Sequence, residues 1–473
     1  MGRSESRRAY AGSGESVKKI NPKPALPPAN DPNQWRFWDE GDLTQEARRV
    51  FEVCHGCRMC VNYCGSFPDI FGRVDRDIEK RGAEGAELLD DADFRSITDL
   101  CWQCKLCFIE CPYTADQKHE WVIDVPRLLT RTKAQHARRH GVTVQDQVLG
   151  EPGRLGALAS GVMAPIANFV NANRLARKGN ERVLGISAEF PVPQFATEPF
   201  ERWLSRHEKL PAAGKNGTVA LFVTCTGDYN NPSVPANAVR VLERNGFDVV
   251  RPEQQCCGIP NLDGGDIAAA QAKARFNVAS LLEQIELGRK IVVIQPTCSY
   301  VIKKEYPELL GTSAARKVAD HTLDLMQMLD HLRREKTLDR EFTRGLGKIA
   351  YHAACHLRAQ KIGFPGARVL GLLPDTEVET IEKCSAVDGT WGMKAQYYEM
   401  GRKYAQKLVR AVDNAEATTV VTDCPLSALR IAKENGVAVM HPVEALAEAY
   451  GIRVGEPTTV RAAMEASHEA RAT

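Results

Sequence analysis

The sequence predicts an α+β protein: a helical, cysteine-dense front domain followed by two copies of an α/β unit. Three observations carry this. Eight cysteines stand in two matching runs between Cys54 and Cys111. From Thr218 onward, short apolar, β-branched runs alternate with helical patterns, as in parallel sheets built from strand–helix units. Three cysteine anchors there recur at nearly one offset: Cys355 follows Cys225 by 130 residues, Cys384 follows Cys256 by 128, and Cys424 follows Cys298 by 126. Anchors that keep one offset across unrelated loops mark a duplicated domain.

Each front run reads C-x2-C-x2-C-x3-C: Cys54, Cys57, Cys60, Cys64, and then Cys101, Cys104, Cys107, Cys111 with Pro112 behind it. This spacing wraps three thiolates around one face of an iron–sulphur cubane, and the fourth cysteine serves the other cluster. The expected wiring puts Cys54, Cys57, Cys60 and Cys111 on one [4Fe–4S] cluster. Cys101, Cys104, Cys107 and Cys64 would hold the second. Zinc sites usually separate two close pairs of ligands, which suits these runs less well. Disulfides are disfavoured by so many crowded cysteines without an export signal. Haem attachment needs C-x-x-C-H, and Arg58 and Phe108 stand where the histidine would.

Composition bounds the rest. The chain has 473 residues, 43% of them hydrophobic, and a net charge of +2. That is a globular composition with no field pointing to nucleic acid. All 15 cysteines fall in two zones, which suggests metal sites and a reducing, cytoplasmic setting. No apolar run is long enough to span a bilayer, and the Arg7-Arg8 pair has no apolar region behind it.

In chain order, residues 1–38 are rich in Ser, Gly, Pro and basic residues and are expected to be a disordered tail. Residues 39–145 form the two-cluster domain. A helix starting near Asp42 delivers the chain into Cys54, and the link between the runs is helical and longer than in a minimal bacterial ferredoxin. Asp124-Val125-Pro126 caps a further helix that ends near Gly141. It carries Arg127, Arg131, Lys133, Arg138 and Arg139, read as a solvated basic face or a docking patch for an acidic partner or lipid headgroups. Residues 146–215 form a connector. Within it, 155–176 is apolar at helical spacing, broken by Pro165 and flanked by Arg154, Arg174, Arg177 and Lys178. It is read as a helix packed on the cluster domain, with an interfacial helix or a partner-binding helix as the alternatives. Residues 179–215 read as linker.

The first α/β unit covers 216–345 and the second 346–455, with a tail over 456–473. Strands are expected at 219–224, 248–250, 291–294, 349–351, 419–422 and 437–440. Helices are expected near 234–244, 267–286 and 400–414. The cysteines then sit at the C-terminal ends of strands, where open α/β sheets place their sites. No Gly-rich fingerprint follows a strand, so no NAD or FAD site is expected.

With Cys256-Cys257-Gly258-Ile259-Pro260, Pro296-Thr297-Cys298, Tyr351-His352-Ala353-Ala354-Cys355-His356 and Thr422-Asp423-Cys424 behind a two-cluster module, the chain resembles a known family. It is similar to the iron–sulphur subunits of anaerobic glycerol-3-phosphate dehydrogenases, and to those of heterodisulfide reductases with their ferredoxin-like and CCG parts fused. The resemblance implies a ferredoxin-type domain plus two CCG cysteine-rich domains. It also implies cluster ligands at Cys225, Cys256, Cys257 and Cys298. Two departures stand out. The full motif ends in C-x-x-C, but here the first repeat has Cys298-Ser299-Tyr300-Val301. The second repeat has Ser385 for a paired cysteine and Cys424-Pro425-Leu426-Ser427 at its end, which leaves Cys355, Cys384 and Cys424. The first repeat keeps enough thiolates for a third cluster. The second reads as a site that has lost its cluster, since alcohol oxygens are poor ligands beside thiolate. Gly389 and Gly392 keep the family's spacing after Cys384, which points to a retained loop shape.

The function so implied is electron transfer: a component of an oxidoreductase, not catalytic alone. It would carry electrons between a partner flavoprotein dehydrogenase and a quinone or other acceptor, in the cytoplasm or on the inner face of the membrane. The alternatives are a disulfide or heterodisulfide-type reductase acting at the first CCG site, and an electron donor to a diiron peroxidase.

Overall fold

The computed structural model describes residues 20–387 and 389–455. The expectation of a C-terminal tail at 456–473, and most of that for 1–38, lies outside them. The front domain is helical: α1 (Glu40–Cys57), α2 (Ser66–Arg81), α3 (Asp91–Asp99) and α4 (Val125–His140). Three of these four starts have a side-chain cap. Asp39 accepts a hydrogen bond from the Asp42 N–H, Asp90 forms a capping box with Asp93, and Asp124 accepts from the Arg127 N–H one residue before Val125-Pro126. Each such cap contributes about 1 kcal/mol.

α4 is only in part the solvated basic face anticipated for it: Arg138 and Arg139 are exposed, while Arg131 turns inward. Arg131 is buried and donates to the carbonyls of Arg36, Phe37 and Asp39 and to Asp42. Arg127 pairs with Glu308, Arg138 lies over the Trp38 ring, and Arg139 pairs with Glu40 and Asp91. Through Arg131 the helix clamps the chain that precedes α1. Residues 20–38 are accordingly laid along the body, with Phe37 buried and Asn33 bonded to the Leu309 carbonyl at 3.0 Å.

The connector contains α5 (Pro152–Ala159), α6 (Ala164–Ala172) and α7 (Arg174–Leu184). α5 and α6, with a short 3-10 turn between them, bend by 73°. α5 packs on the helix Cys225–Tyr229 of the first repeat, not on the cluster domain. Gly156 permits that approach: a Cβ there would lie 2.6 Å from the Tyr229 ring. No single described helix is long and apolar enough to cross a membrane.

The two repeats have the same topology. In the first, β1 (Thr218–Phe222), β2 (Asp248–Val250), β3 (Lys290–Val293) and β4 (Thr322–Asp324) form a parallel sheet in the order β2-β1-β3-β4. In the second, β5 (Gly347–His352), β6 (Thr376–Ile381), β7 (Thr419–Thr422) and β8 (Val439–Met440) run β6-β5-β7-β8, also parallel. β4 and β6 had no counterpart among the expected strands. Both are edge strands, and β6 (Thr-Glu-Val-Glu-Thr-Ile) has too little apolar content to stand out. The third expected helix starts earlier, at Ala395, and runs to Asn414.

Period-two alternation divides the cores. Val219, Leu221 and Val223 join Ile349, Tyr351 and Val421 in one core shared by the two repeats. Ala220 and Phe222 face an outer core of the first repeat, and Ala350 and Val420 face one of the second. The repeats are therefore fused through their inner sheet faces. The front domain packs on both, through Phe37 and Ala134 to the first and through Ala386 and Trp391 to the second.

Candidate metal centres

α1 ends inside the first cysteine run. Arg58 takes a left-handed conformation (φ 53°) and returns its N–H to the Cys54 carbonyl. Gln103 (φ 55°) and Lys105 (φ 62°) are left-handed in the second run. Such residues between cysteines turn the chain tightly enough to bring successive thiols together. Burial pushes the Cys54 thiol up, and its neighbours Cys60, Cys111 and Cys57 push it further. Cys60 is driven to about 12 by burial and by Cys111 and Cys57. Cys64 reaches about 12 through burial and Cys101. Cys107 is raised by burial, then by Cys64 and Cys101, and after those by Cys60 and Cys54.

The structure thus brings Cys54, Cys57, Cys60 and Cys111 together, and Cys64, Cys101 and Cys107 together, with the sets adjoining through Cys107, Cys60 and Cys54. Cys104 lines the same small pocket as Cys64, Cys101 and Cys107, and it also lies against Cys384 of the second repeat. Buried thiols that suppress one another's ionisation suit a site where iron replaces their protons. Among the described residues, no three His, Cys, Asp or Glu side chains converge tightly enough for a single metal ion.

In the first repeat the site cysteines follow β1, β2 and β3. Thr224, just before Cys225, sits at φ 67° and accepts a hydrogen bond from the Gly227 N–H at 3.2 Å. Gly258 follows Cys256-Cys257 at φ 90°, with Ala270 Cα 3.4 Å from where a Cβ would stand. The four thiols lie close enough to perturb one another in sequence, Cys225 with Cys256, Cys256 with Cys257 and Cys257 with Cys298, and all four line one cavity. Tyr306 donates to the Cys257 carbonyl at 3.0 Å and accepts from Asn277 at 2.9 Å, which fixes the loop from below. Where the full motif would carry its last cysteine, Val301 begins a π-helical turn that ends at Glu305. Such turns mark an inserted residue and are frequent at functional sites.

The second repeat departs further. Cys355 and Cys384 lie with their sulphurs 3.8 Å apart. Ser385 and Ser427, at the positions of two motif cysteines, are buried and hydrogen-bonded to each other at 2.9 Å. Ala386 takes the left-handed place of Gly258, at φ 49°. Gly392 is required by a close approach: a Cβ there would lie 2.8 Å from Val387 Cα. Both ring nitrogens of His352 are engaged, with Thr422 Oγ1 at 2.8 Å and the Lys383 carbonyl at 2.9 Å. His356 is held by Thr297 Oγ1 at 3.1 Å and by the Gln103 carbonyl at 3.3 Å. His356 also lines the cavity that the thiols of this repeat face.

The two cysteine sites face one cavity of about 290 Å³. Cys225, Cys256, Cys257 and Cys298 line one side, and Cys355, Cys384 and Cys424 the other. Its remaining wall comes from the connector: Leu149, Pro152, Leu155, Ile186, Phe190, Val192 and Phe195. Residues 179–215, read as linker, instead cover the thiols with apolar side chains.

The front domain meets the second repeat at the Cys101–Cys107 loop. Trp391 Nε1 donates to the Asp99 carbonyl at 2.8 Å, and its ring lies 4.9 Å from that of Trp102. Tyr404 packs edge-on to Trp102 at 5.1 Å. On the other side, Lys105 is buried against Gln103 Oε1 (2.8 Å) and Glu305 Oε1 (3.4 Å). This aromatic box and the serine pair escaped sequence reasoning. Trp102 lay inside a cysteine run, but its partners are almost 300 residues away.

Comparison with known proteins agrees with this geometry. Residues 219–303 and 349–431 match the model of the cysteine-rich domain, and residues 47–139 match that of the citrate utilization protein B Fer4-like domain. The chain is thus an iron–sulphur protein built from one ferredoxin-type and two CCG domains. It is homologous to a subunit of anaerobic glycerol-3-phosphate dehydrogenase: the Escherichia coli (strain K12) protein is 27% identical over 315 residues, 65% of this chain and 77% of that one. The glycolate oxidase iron-sulfur subunit of the same strain is 23% identical over 420 residues, 85% of this chain and 95% of the relative. A fumarate reductase (CoM/CoB) subunit of Methanothermobacter marburgensis is 27% identical over 252 residues, 51% and 48% of the two chains. Iron–sulphur subunits of dehydrogenases and reductases are its relatives, and electron transfer through iron–sulphur centres is the role they support.

Proposed function

We propose that the protein carries electrons from a partner flavoprotein dehydrogenase to a quinone at the inner face of the cytoplasmic membrane. The observation that carries this reading is the spatial order of the cysteine sites. Cys57 is exposed, with Met59 (50%) and Val61 (38%) beside it, so a partner can approach the first set closely. The second set is more buried, adjoins the first, and abuts the second repeat through Cys104. Beyond it lies the cavity between the repeats. Cys54, Cys57, Cys60 and Cys111 would hold one [4Fe–4S] cluster, and Cys64, Cys101, Cys104 and Cys107 another. Cys225, Cys256, Cys257 and Cys298 would hold a third. Such clusters supply one-electron exchange at potentials set by burial and local charge. The cavity's size and apolar wall suit a small aromatic acceptor.

The bent α5–α6 pair supports the membrane side of this reading. Leu158, Val162, Ile166 and Phe169 project into solvent from it, Val162 with 88% and Phe169 with 72% of its surface exposed. Arg154 on α5 and Arg174, Lys178 and Arg182 on α7 are exposed as well. Exposed apolar side chains with cations on the flanking helices match the interface of an anionic bilayer. α5 also contributes to the cavity wall through Pro152 and Leu155, so that wall adjoins the apolar tips.

Iron and acid-labile sulphide analysis of anaerobically purified protein, with EPR of the reduced form, tests the reading. About twelve irons per chain are expected, and about eight would remove the third cluster. Fewer than about six would overturn the two-cluster front domain.

A further inference from the structure

We infer that Cys355 and Cys384 form a redox-active dithiol that cycles to a disulfide beside the second cluster site. The fold brings them together. His352 and Ile381 are register partners on β5 and β6, and each cysteine follows its partner by three residues. The Ala353 N–H extends that ladder to the Ile381 carbonyl at 3.1 Å. The sulphurs come to rest 3.8 Å apart, and side-chain rotation is the motion that would close them to the roughly 2.05 Å of a disulfide. Cys384 accepts a hydrogen bond from the Ala386 N–H at 3.3 Å, a donor that steadies a thiolate.

The rest of the site argues against these thiols serving iron. Ser385 and Ser427 satisfy each other, and His352 and His356 spend their nitrogens on hydroxyls and carbonyls. Of the repeat's own thiols only Cys424 stands beside the pair, which leaves it one short of the four a cubane takes. The Cys101–Cys107 loop, in contrast, presses Cys104 against Cys384, and the Trp391 and His356 hydrogen bonds to Asp99 and Gln103 hold it there.

The inference rests on the electron-transfer reading only for its electron source. The Cys355–Cys384 disulfide takes two electrons, one at a time, from the cluster on the Cys101 loop, and two protons from solvent. The S–S bond breaks and two thiols form. In reverse, two thiols release two electrons and two protons and the bond closes. The pair stores two electrons at the mouth of a path that delivers them singly, facing a cavity that suits a two-electron acceptor.

The test uses the full, cluster-loaded chain, poised anaerobically with mediators at stepped potentials. Each sample is quenched in acid, alkylated, digested and read by mass spectrometry. The expected result is a Cys355–Cys384 cross-linked peptide that appears at high potential and disappears at low potential with a two-electron slope. C355S and C384S, each with an alanine counterpart in case one misfolds, abolish the cross-link and leave iron content unchanged. Three results would overturn the inference: loss of iron in either pair of variants, no cross-link at any potential, or a Cys104–Cys384 cross-link instead. The EPR signals of the front clusters persist in every case, so failure here stays distinct from failure of the electron-transfer reading.

Discussion

His441 shows how single residues tie the repeats together. It follows β8 of the second repeat, yet its Nε2–H donates to the Ile294 carbonyl at the end of β3 in the first, at 3.0 Å. Its Nδ1 accepts from the Val443 N–H at 3.1 Å. With one nitrogen donating and the other accepting, the ring must be neutral, and burial pushes its pKa from 6.5 down to about 4. The unfolded chain then binds a proton that the folded chain refuses as pH falls below 6.5, so stability from this group is complete above 6.5 and lost between 6.5 and about 4. The loss is about 1.4 kcal/mol per pH unit in that window. H441N keeps a helix cap but has no proton to gain. The gap in thermal midpoint between wild type and H441N should close as pH drops from 7.5 toward 5.5. A constant gap would show that the imidazole is not held neutral.

At the scale of elements, the α5–α6 pair departs most from ordinary packing. Its apolar side chains would normally face a core, but Gly156 seats α5 on Tyr229 with the opposite side of the pair outward. We expect the protein to co-sediment with anionic phospholipid vesicles and the double variant V162D/F169D to bind about ten- to a hundred-fold more weakly, from the apolar burial removed. Cluster content should be unchanged, since neither side chain borders a thiol. Equal binding by wild type and variant would assign the exposed face to something other than lipid. α4 gives the converse lesson: its five basic residues read as a solvated face or a docking patch, and the structure turns Arg131 inward onto carbonyls and Asp42 while Arg138 and Arg139 stay exposed.

Across the whole molecule, the joint between the front domain and the second repeat decides whether the centres form one path. Trp391 is its pivot, stacked on Tyr397 at 4.8 Å, packed against Trp102 and bonded to Asp99. W391A should cost roughly 3–5 kcal/mol. It should also make iron on the Cys64, Cys101, Cys104 and Cys107 set more labile to a chelator, while iron on the Cys54 set, whose run Trp391 does not contact, is released at the wild-type rate. Chelator kinetics would then show one accelerated phase. Uniform acceleration of both phases would mean the joint supports the domain as a whole.

The sequence by itself determined the cysteine runs, the duplication and most of the central strands. These depend on spacing and on short continuous apolar, β-branched runs, which are local and strong at Val219–Phe222 or Thr419–Thr422. It also determined that the second repeat lacks motif thiolates, because Ser385 and Ser427 are visible as letters. Only the tertiary structure decided that those serines bond to each other, that Cys104 meets Cys384, that the two repeats share one cavity, and that residues 179–215 cover it. Edge strands β4 and β6 were illegible because a few residues with little apolar content carry no period. The contacts between sites were illegible for a different reason. They join residues tens to hundreds of positions apart, and which thiol faces which is fixed by how three domains pack, a property of their joined cores and not of any one stretch of chain.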